Sequence, residues 1–209
     1  MKKIRFLATP IFICTIIFGV VPADAKVHSA TATIDATSRE AWTFFSFSTG
    51  KPVVIEDHTS SMDWDLGFQR TMVIVNGGAS GPGEGSALIL EGVQFEDVVA
   101  APEGDYVPDT DQISTIARGD GWYTYTGPPN HLVLPNDRVY VLQTAAGMFA
   151  KLRFIGYYSD NEAKEGSGNI TIEYAFQDDG SRSFQTSAQT SVEAKAKLVT
   201  TWARLKFGS

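Results

Sequence analysis

Short runs in which every second residue is apolar constrain the fold of this chain more than any other feature of its sequence. Trp64, Leu66 and Phe68 fall on one side of an extended chain, and this period of two is typical of a β-strand. Further runs rich in β-forming residues follow, most of them bounded by Gly, Pro, Asn or Asp; they span residues 72–75, 87–90, 122–125, 138–144, 149–158 and 169–176.

The intervals between these runs hold no convincing helix of twelve or more residues, which argues against β-α-β units. We therefore predict an all-β single domain, a mainly antiparallel sheet or sandwich with at most short helices. Bulky groups on both faces of the run at 138–144 indicate a central strand. One or two helical turns are expected at residues 38–41. Residues 198–207 fit either a helix or a strand, and both remain open.

The first 25 residues have the pattern of a secretory signal peptide. Lys2, Lys3 and Arg5 precede an apolar run at 6–21, and Ala23-Asp24-Ala25 places small residues where a signal peptidase cleaves. The apolar run is short for a membrane anchor, which needs ~20 residues. We predict cleavage after Ala25 and an exported protein, periplasmic or extracellular at the cell surface, with no membrane insertion after cleavage.

Removal of the signal peptide changes the chemistry that is available to the chain. Cys14 is the only cysteine, and Ile13 before it does not fit a lipoprotein site, so the mature chain has no thiol for a disulfide, a metal site or a nucleophile. Three of the 17 basic residues and one of the 24 acidic residues are lost with the signal peptide. The mature chain then has 14 basic and 23 acidic residues, a net charge of about −9. Such acidity argues against nucleic acid as a partner.

The sequence contains no recognisable catalytic motif. The patterns G-x-S-x-G and H-E-x-x-H are absent, and the three histidines share no metal-ligand spacing. Asp63 and Asp65 fall on one strand face, as a glycosidase pair can, but a chain this acidic has many such pairs by chance. We predict that the protein is not an enzyme.

Three segments taken together carry a family resemblance. An aromatic strand ends in a glycine turn at 42–50, and a Trp-Asp-aliphatic segment at 62–70 leads into a glycine-rich loop at 76–87. The run R-V-Y-V then continues through Gly147 to Ala-Lys within residues 138–154. In this order the motifs resemble the HmuY family of exported haem-binding proteins, over about residues 31–176. The glycine loop lacks the closing Lys-Ser/Thr of a P-loop, so it is expected to shape structure.

The resemblance implies that haem (iron protoporphyrin IX) is captured for iron acquisition and passed to an outer-membrane haem receptor; host haemoproteins are possible further partners. In the family, axial His or Met side chains hold the iron, one of them in the loop that corresponds here to residues 126–135. His131 lies in that loop, where we expect it to be the metal ligand, and Pro128, Pro129 and Pro135 stiffen the loop.

The second ligand of the family has no counterpart here, because the segment from Ile113 to Gly121 contains neither His nor Met. Met148 in a predicted hairpin offers a thioether, and Tyr123 and Tyr125 offer phenolates, so these three are further candidates for haem binding. Five-coordinate iron, or a ligand shared between two chains, also remains open.

The remaining histidines are not expected to bind haem. His58 is predicted in a solvated loop, and His28 is predicted to be disordered near the mature N-terminus. The predicted organisation is a cleaved signal peptide at 1–25, a HmuY-like β domain at 26–180, and a polar linker with a C-terminal extension at 181–209. The alternative function is a non-haem surface adhesin or glycan-binding β module on the same scaffold.

Overall fold

A computed structural model describes residues 27–185, and within them the chain forms eleven strands and one short 3-10 helix. The strands are β1 Val27–Asp35, β2 Thr43–Ser46, β3 Lys51–Val53, β4 Leu66–Gln69, β5 Met72–Val75, β6 Ser86–Glu91, β7 Tyr123–Tyr125, β8 Val133–Pro135, β9 Arg138–Gln143, β10 Phe149–Asp160 and β11 Glu165–Gln177. The helix, η1, spans Thr115–Ala117. The predictions for signal cleavage and for the C-terminal segment at 198–207 lie outside the described residues.

Two antiparallel sheets account for nine of these strands. One sheet has the order β1-β11-β10-β9-β6, the other has the order β3-β2-β4-β5, and β7 pairs with β8 in a separate hairpin. All the ladders between these strands are antiparallel. The predicted all-β, mainly antiparallel fold is confirmed. β9 lies between β10 and β6, as the bulky groups on both of its faces indicated.

Aromatic side chains from both sheets form the core between them. Phe45 of β2 meets Tyr174 of β11 edge to face, with ring centroids 5.6 Å apart, and Phe47 packs on the same tyrosine at 5.3 Å. Leu66 and Phe68 of β4 join the same core, fully buried. Such edge-to-face pairs add to the free energy gained from buried area. The alternation in β4 thus directs its apolar side chains into the sandwich.

A second buried cluster covers the outer face of the five-stranded sheet. Phe95 and Val98, from the segment after β6, pack there with Val139, Val141 and Phe184. The Phe184 amide donates to the Val99 carbonyl at 2.8 Å. Residues 181–185, predicted as the start of a linker, therefore lie against the β domain, because an apolar side chain anchors them.

Several local predictions differ from the structure. The strand predicted to include Trp64 begins only at Leu66, and a turn at Arg70, which has a positive φ of 53°, separates β4 from β5. Trp64 lies ahead of β4 and packs on Phe44 with ring centroids 4.9 Å apart. The segment at 38–41 is a bend in which the Ser38 hydroxyl accepts from the amides of Glu40 and Ala41, as at a helix N-cap, but no helical turn follows.

The glycine-rich loop closes around a buried asparagine. The Asn76 side chain donates to the carbonyls of Ser61 and Trp64, at 3.0 and 2.8 Å, and accepts from the Gly83 amide at 3.1 Å. At Gly85 a Cβ would lie 2.4 Å from the Asn76 carbonyl oxygen, so only glycine permits this approach. These contacts give the loop the structural role that the sequence analysis predicted.

Asn76→Ala should lower the free energy of unfolding by about 3 kcal/mol, because it leaves two carbonyls and one amide without a partner inside the protein. Urea denaturation followed by tryptophan fluorescence measures this loss. Asn130→Ala, in an exposed turn, is the matched control and should change stability by less than about 0.5 kcal/mol. Equal stability of the two variants would contradict the anchoring role.

Candidate functional site

A cavity of about 600 Å³ opens beside β5 and β7, with an irregular segment, residues 110–121, as one wall. Its apolar lining includes Trp42, Met72, Ile74, Ile113, Trp122 and Tyr123. Met72 and Ile113 are 52% and 41% exposed, so they present apolar surface at the opening. The volume and the aromatic lining are typical of sites for small organic ligands.

Asp109 fixes the wall of this cavity to the four-stranded sheet. The buried carboxylate accepts from the Val75 amide of β5 at 3.0 Å and from the Thr115 amide of η1 at 2.6 Å. Ser114 adds a hydrogen bond from its hydroxyl to the Val73 carbonyl. Burial raises the pKa of Asp109, while the hydrogen bonds from Thr115 and Val75 oppose that shift.

Trp122 forms the deepest part of the cavity. Its indole is buried, donates to the Thr71 carbonyl at 2.9 Å and stacks on Phe154 with ring centroids 4.6 Å apart. Tyr123 packs against the same indole at 5.0 Å. Tyr123, one of the candidates for haem binding, therefore lines this cavity together with Trp122, which the sequence did not mark as a site residue.

The β7–β8 hairpin extends from this cavity to the surface. Its strands pair Tyr123 with Pro135 and Tyr125 with Val133. The Val133 amide donates to the Tyr158 hydroxyl at 2.9 Å, which attaches the hairpin to β10. Tyr123 and Tyr125 are two residues apart in a strand, so they share one face of the hairpin.

The structure brings two of the predicted site residues, Tyr125 and His131, into contact. The Tyr125 hydroxyl is hydrogen-bonded to Nδ1 of His131, and the ring centroids are 5.9 Å apart. Both side chains are exposed, and neither lines the cavity that Tyr123 lines. His131 has a left-handed φ of 52°, a conformation that is unusual for a residue other than glycine and clusters at functional sites.

Met148 lies far from this pair. It is half-buried at the start of β10, in a second cavity of about 530 Å³ that His28 and Met62 also line. The hairpin instead attaches near the other end of β10, at Tyr158. Nine residue steps separate Phe149 from Tyr158, about 30 Å of strand. Met148 and His131 therefore cannot bind the same iron atom within one chain.

The other two histidines differ from their predictions. His28 belongs to β1, opposite Phe176 of β11, and its Nε2 lies 2.9 Å from a carboxylate oxygen of Asp178. His58 is half-buried, stacks on Phe44 at 5.5 Å and accepts from the Trp64 indole through its carbonyl at 3.1 Å. Strand pairing orders His28, so it is not disordered. Aromatic packing holds His58, so it is not simply solvated.

Sequence reasoning missed the cavity wall and most of its lining. Trp42 begins one of the family motifs, but nothing in the sequence marked Trp42, Met72 or Ile113 as lining a site. The one available signal was the apolar side chain of Met72 on the outward side of a strand, where a polar residue is usual. Across residues 27–185 no cluster of three or more His, Cys, Asp or Glu side chains could hold a metal ion.

Fold and site together define a two-sheet antiparallel β protein with an aromatic cavity beside a surface hairpin. A family model described as HmuY protein matches residues 38–174, which is more than half of the chain. The chain therefore belongs to the HmuY family. None of the curated proteins matches the sequence. Within the described part of the chain no helix is both long and apolar enough to span a membrane.

Solved structures share the fold. The apo HmuY analog of Tannerella forsythia is 20% identical, with a TM-score of 0.56 over 74% of this chain and 98% of that one. A candidate HmuY-like heme-binding protein of Bacteroides vulgatus is 25% identical, with a TM-score of 0.51 over 70% and 91%. Apo PinO of Porphyromonas gingivitis is 14% identical, with a TM-score of 0.50 over 73% and 98%.

Asp109→Ala should release the cavity wall, because the amides of Val75 and Thr115 lose their common acceptor. We expect a loss of about 2–3 kcal/mol in the free energy of unfolding and faster hydrogen exchange at the amides of 113–117. Asp109→Asn keeps one acceptor oxygen and removes the buried charge. Its loss in the free energy of unfolding should therefore be smaller. Unchanged exchange in the alanine variant would show that Asp109 does not hold the wall.

Proposed function

We propose that this chain is an exported haem-binding protein that captures haem for iron acquisition and catalyses no reaction. The observation that carries the proposal is the aromatic cavity beside a Tyr–His pair in a chain of the HmuY family. The signal-peptide pattern at 1–25 supports export to the periplasm or the cell surface.

The lining of the first cavity suits a flat apolar macrocycle. Two tryptophans, Trp42 and Trp122, line it, and Met72 and Ile113 leave apolar surface at its opening. Burial of that surface against a porphyrin is favourable by about 25 cal/mol per Å². The lining of the second cavity, around Met148, contains no tryptophan and includes three carboxylates, those of Asp63, Asp65 and Asp178. We therefore place the macrocycle in the first cavity.

The iron would be held on the face of the β7–β8 hairpin that carries Tyr123, at the end of that face away from the cavity. Haem iron accepts His, Tyr and Met ligands in proteins, and Tyr125 and His131 supply two of these types in contact with one another. Tyr123 would contact the macrocycle from inside the cavity. The Met148 thioether, in the other cavity, would be a ligand only of a separately bound haem.

Hand-off to an outer-membrane haem receptor is the further part of this proposal. Tyr125 is 53% exposed and His131 is also exposed, so the groups that would hold the iron are within reach of a second protein. A ligand held at the surface can be transferred without opening the sandwich core.

Haemin added to the mature protein should produce a Soret absorbance band that saturates at micromolar concentration. His131→Ala should shift this band and weaken haemin binding by about tenfold or more, since the variant disrupts the Tyr125–His131 pair that would hold the iron. Met148→Ala is the matched control and should leave the band and the affinity unchanged.

The absence of any saturable spectral change in the wild-type protein would reject haem binding. In that event the exposed Tyr125 face would favour the alternative of an adhesin or a glycan-binding module, which a glycan-array experiment can test. A loss of binding in Met148→Ala but not in His131→Ala would move the site to the second cavity.

A further inference from the structure

The loop between β7 and β8 holds His131 against Tyr125 through several backbone contacts. The Thr126 amide donates to the Leu132 carbonyl at 2.9 Å, and the Leu132 amide donates to the Thr126 hydroxyl, also at 2.9 Å. The His131 amide donates to the Gly127 carbonyl at 2.8 Å. The position of the imidazole on Tyr125 is therefore set by the loop and does not depend on a bound ligand.

The chemistry of the two side chains gives their hydrogen bond a direction. The Tyr125 hydroxyl is hydrogen-bonded to Nδ1 of His131. A phenol hydroxyl is a much stronger acid than the N–H of a neutral imidazole, so we assign the hydroxyl as the donor and Nδ1 as the acceptor. The proton of the neutral ring then lies on Nε2. In this arrangement neither ring nitrogen has a lone pair free for iron, whereas the Tyr125 oxygen does.

Resting on the haem-binding function proposed above, we propose that the Tyr125 oxygen is the iron ligand and that His131 is a positioning residue that accepts its proton. The Tyr125 oxygen would take the place of a water molecule on the ferric ion, and its proton would be held at Nδ1 of His131. The oxidation state of the iron would not change. The phenolate would then be stabilised by the positive charge of the iron and by its hydrogen bond to His131.

This arrangement makes oxidised haem the preferred cargo. A ferric porphyrin carries one positive charge at its centre, which the phenolate neutralises, whereas a ferrous porphyrin carries none. Tyrosine is an established haem ligand in proteins. Tyr125 lies about 7 Å along the strand from Tyr123, which lines the cavity on the same face, so a macrocycle seated there can reach it.

The test compares haemin with iron-free protoporphyrin IX on the mature protein. Tyr125→Phe should weaken haemin binding by about 10- to 100-fold and should leave protoporphyrin binding unchanged, because only the metal bond is lost. Tyr106→Phe removes a phenol hydroxyl in the cluster on the outer face of the five-stranded sheet, away from the cavity. It is the matched control and should keep the haemin affinity. Circular dichroism confirms that the variants fold.

Resonance Raman spectroscopy of the haemin complex separates the roles of the two residues. The wild-type protein should show iron–phenolate vibrations, which Tyr125→Phe abolishes. His131→Ala should keep these vibrations at a shifted frequency and weaken binding by about 10- to 100-fold, as expected for a partner that supports the ligand. Reduction of the iron should weaken binding to the wild-type protein and remove these bands.

Two results would overturn the inference. Retention of the full haemin affinity and spectrum by Tyr125→Phe, together with their loss in His131→Ala, would make the imidazole the ligand and leave the proposed function intact. Failure of the wild-type protein to bind haemin saturably would overturn both the ligand assignment and the proposed function.

Discussion

Burial of aromatic side chains between the two sheets is the interaction on which the rest of the structure depends. Residues 27–185 contain no cysteine, so the fold is held together without disulfides, mainly by apolar burial and hydrogen bonds. Phe45, Phe47 and Tyr174 join the sheets near one end of the sandwich. Trp122 and Phe154 do the same below the cavity, where an irregular segment and a short hairpin attach to the sheets.

Buried polar side chains turn the long connections into fixed walls. Asn76 ties the glycine-rich loop to the segment before β4, and Asp109 ties η1 to β5. Each bridges backbone groups that would otherwise be buried without a partner, and such groups are costly. The cavity thus exists in the free protein, and a ligand would not need to order its walls. Pre-formed sites of this kind lose less free energy on binding.

The sequence predicted the fold better than the site, for physical reasons that particular residues show. The main core strands alternate locally, so their periodicity identified them. β1 was missed because its exposed Ser, Thr and Ala residues carry little hydrophobic signal and its order comes from pairing with β11, more than 130 residues away. β8 is only three residues long and ends at a proline. The family resemblance pointed to the loop that contains His131, but the contact between His131 and Tyr125 depends on the φ of His131.

A crystal structure of the mature protein in complex with haemin tests the proposed haem site most directly. We expect the macrocycle over Tyr123 and Trp122, with the iron bonded to the oxygen of Tyr125 and with His131 still in contact with that oxygen. A macrocycle in the cavity of His28, Met62 and Met148, or iron bound to none of the side chains of the β7–β8 hairpin, would contradict it.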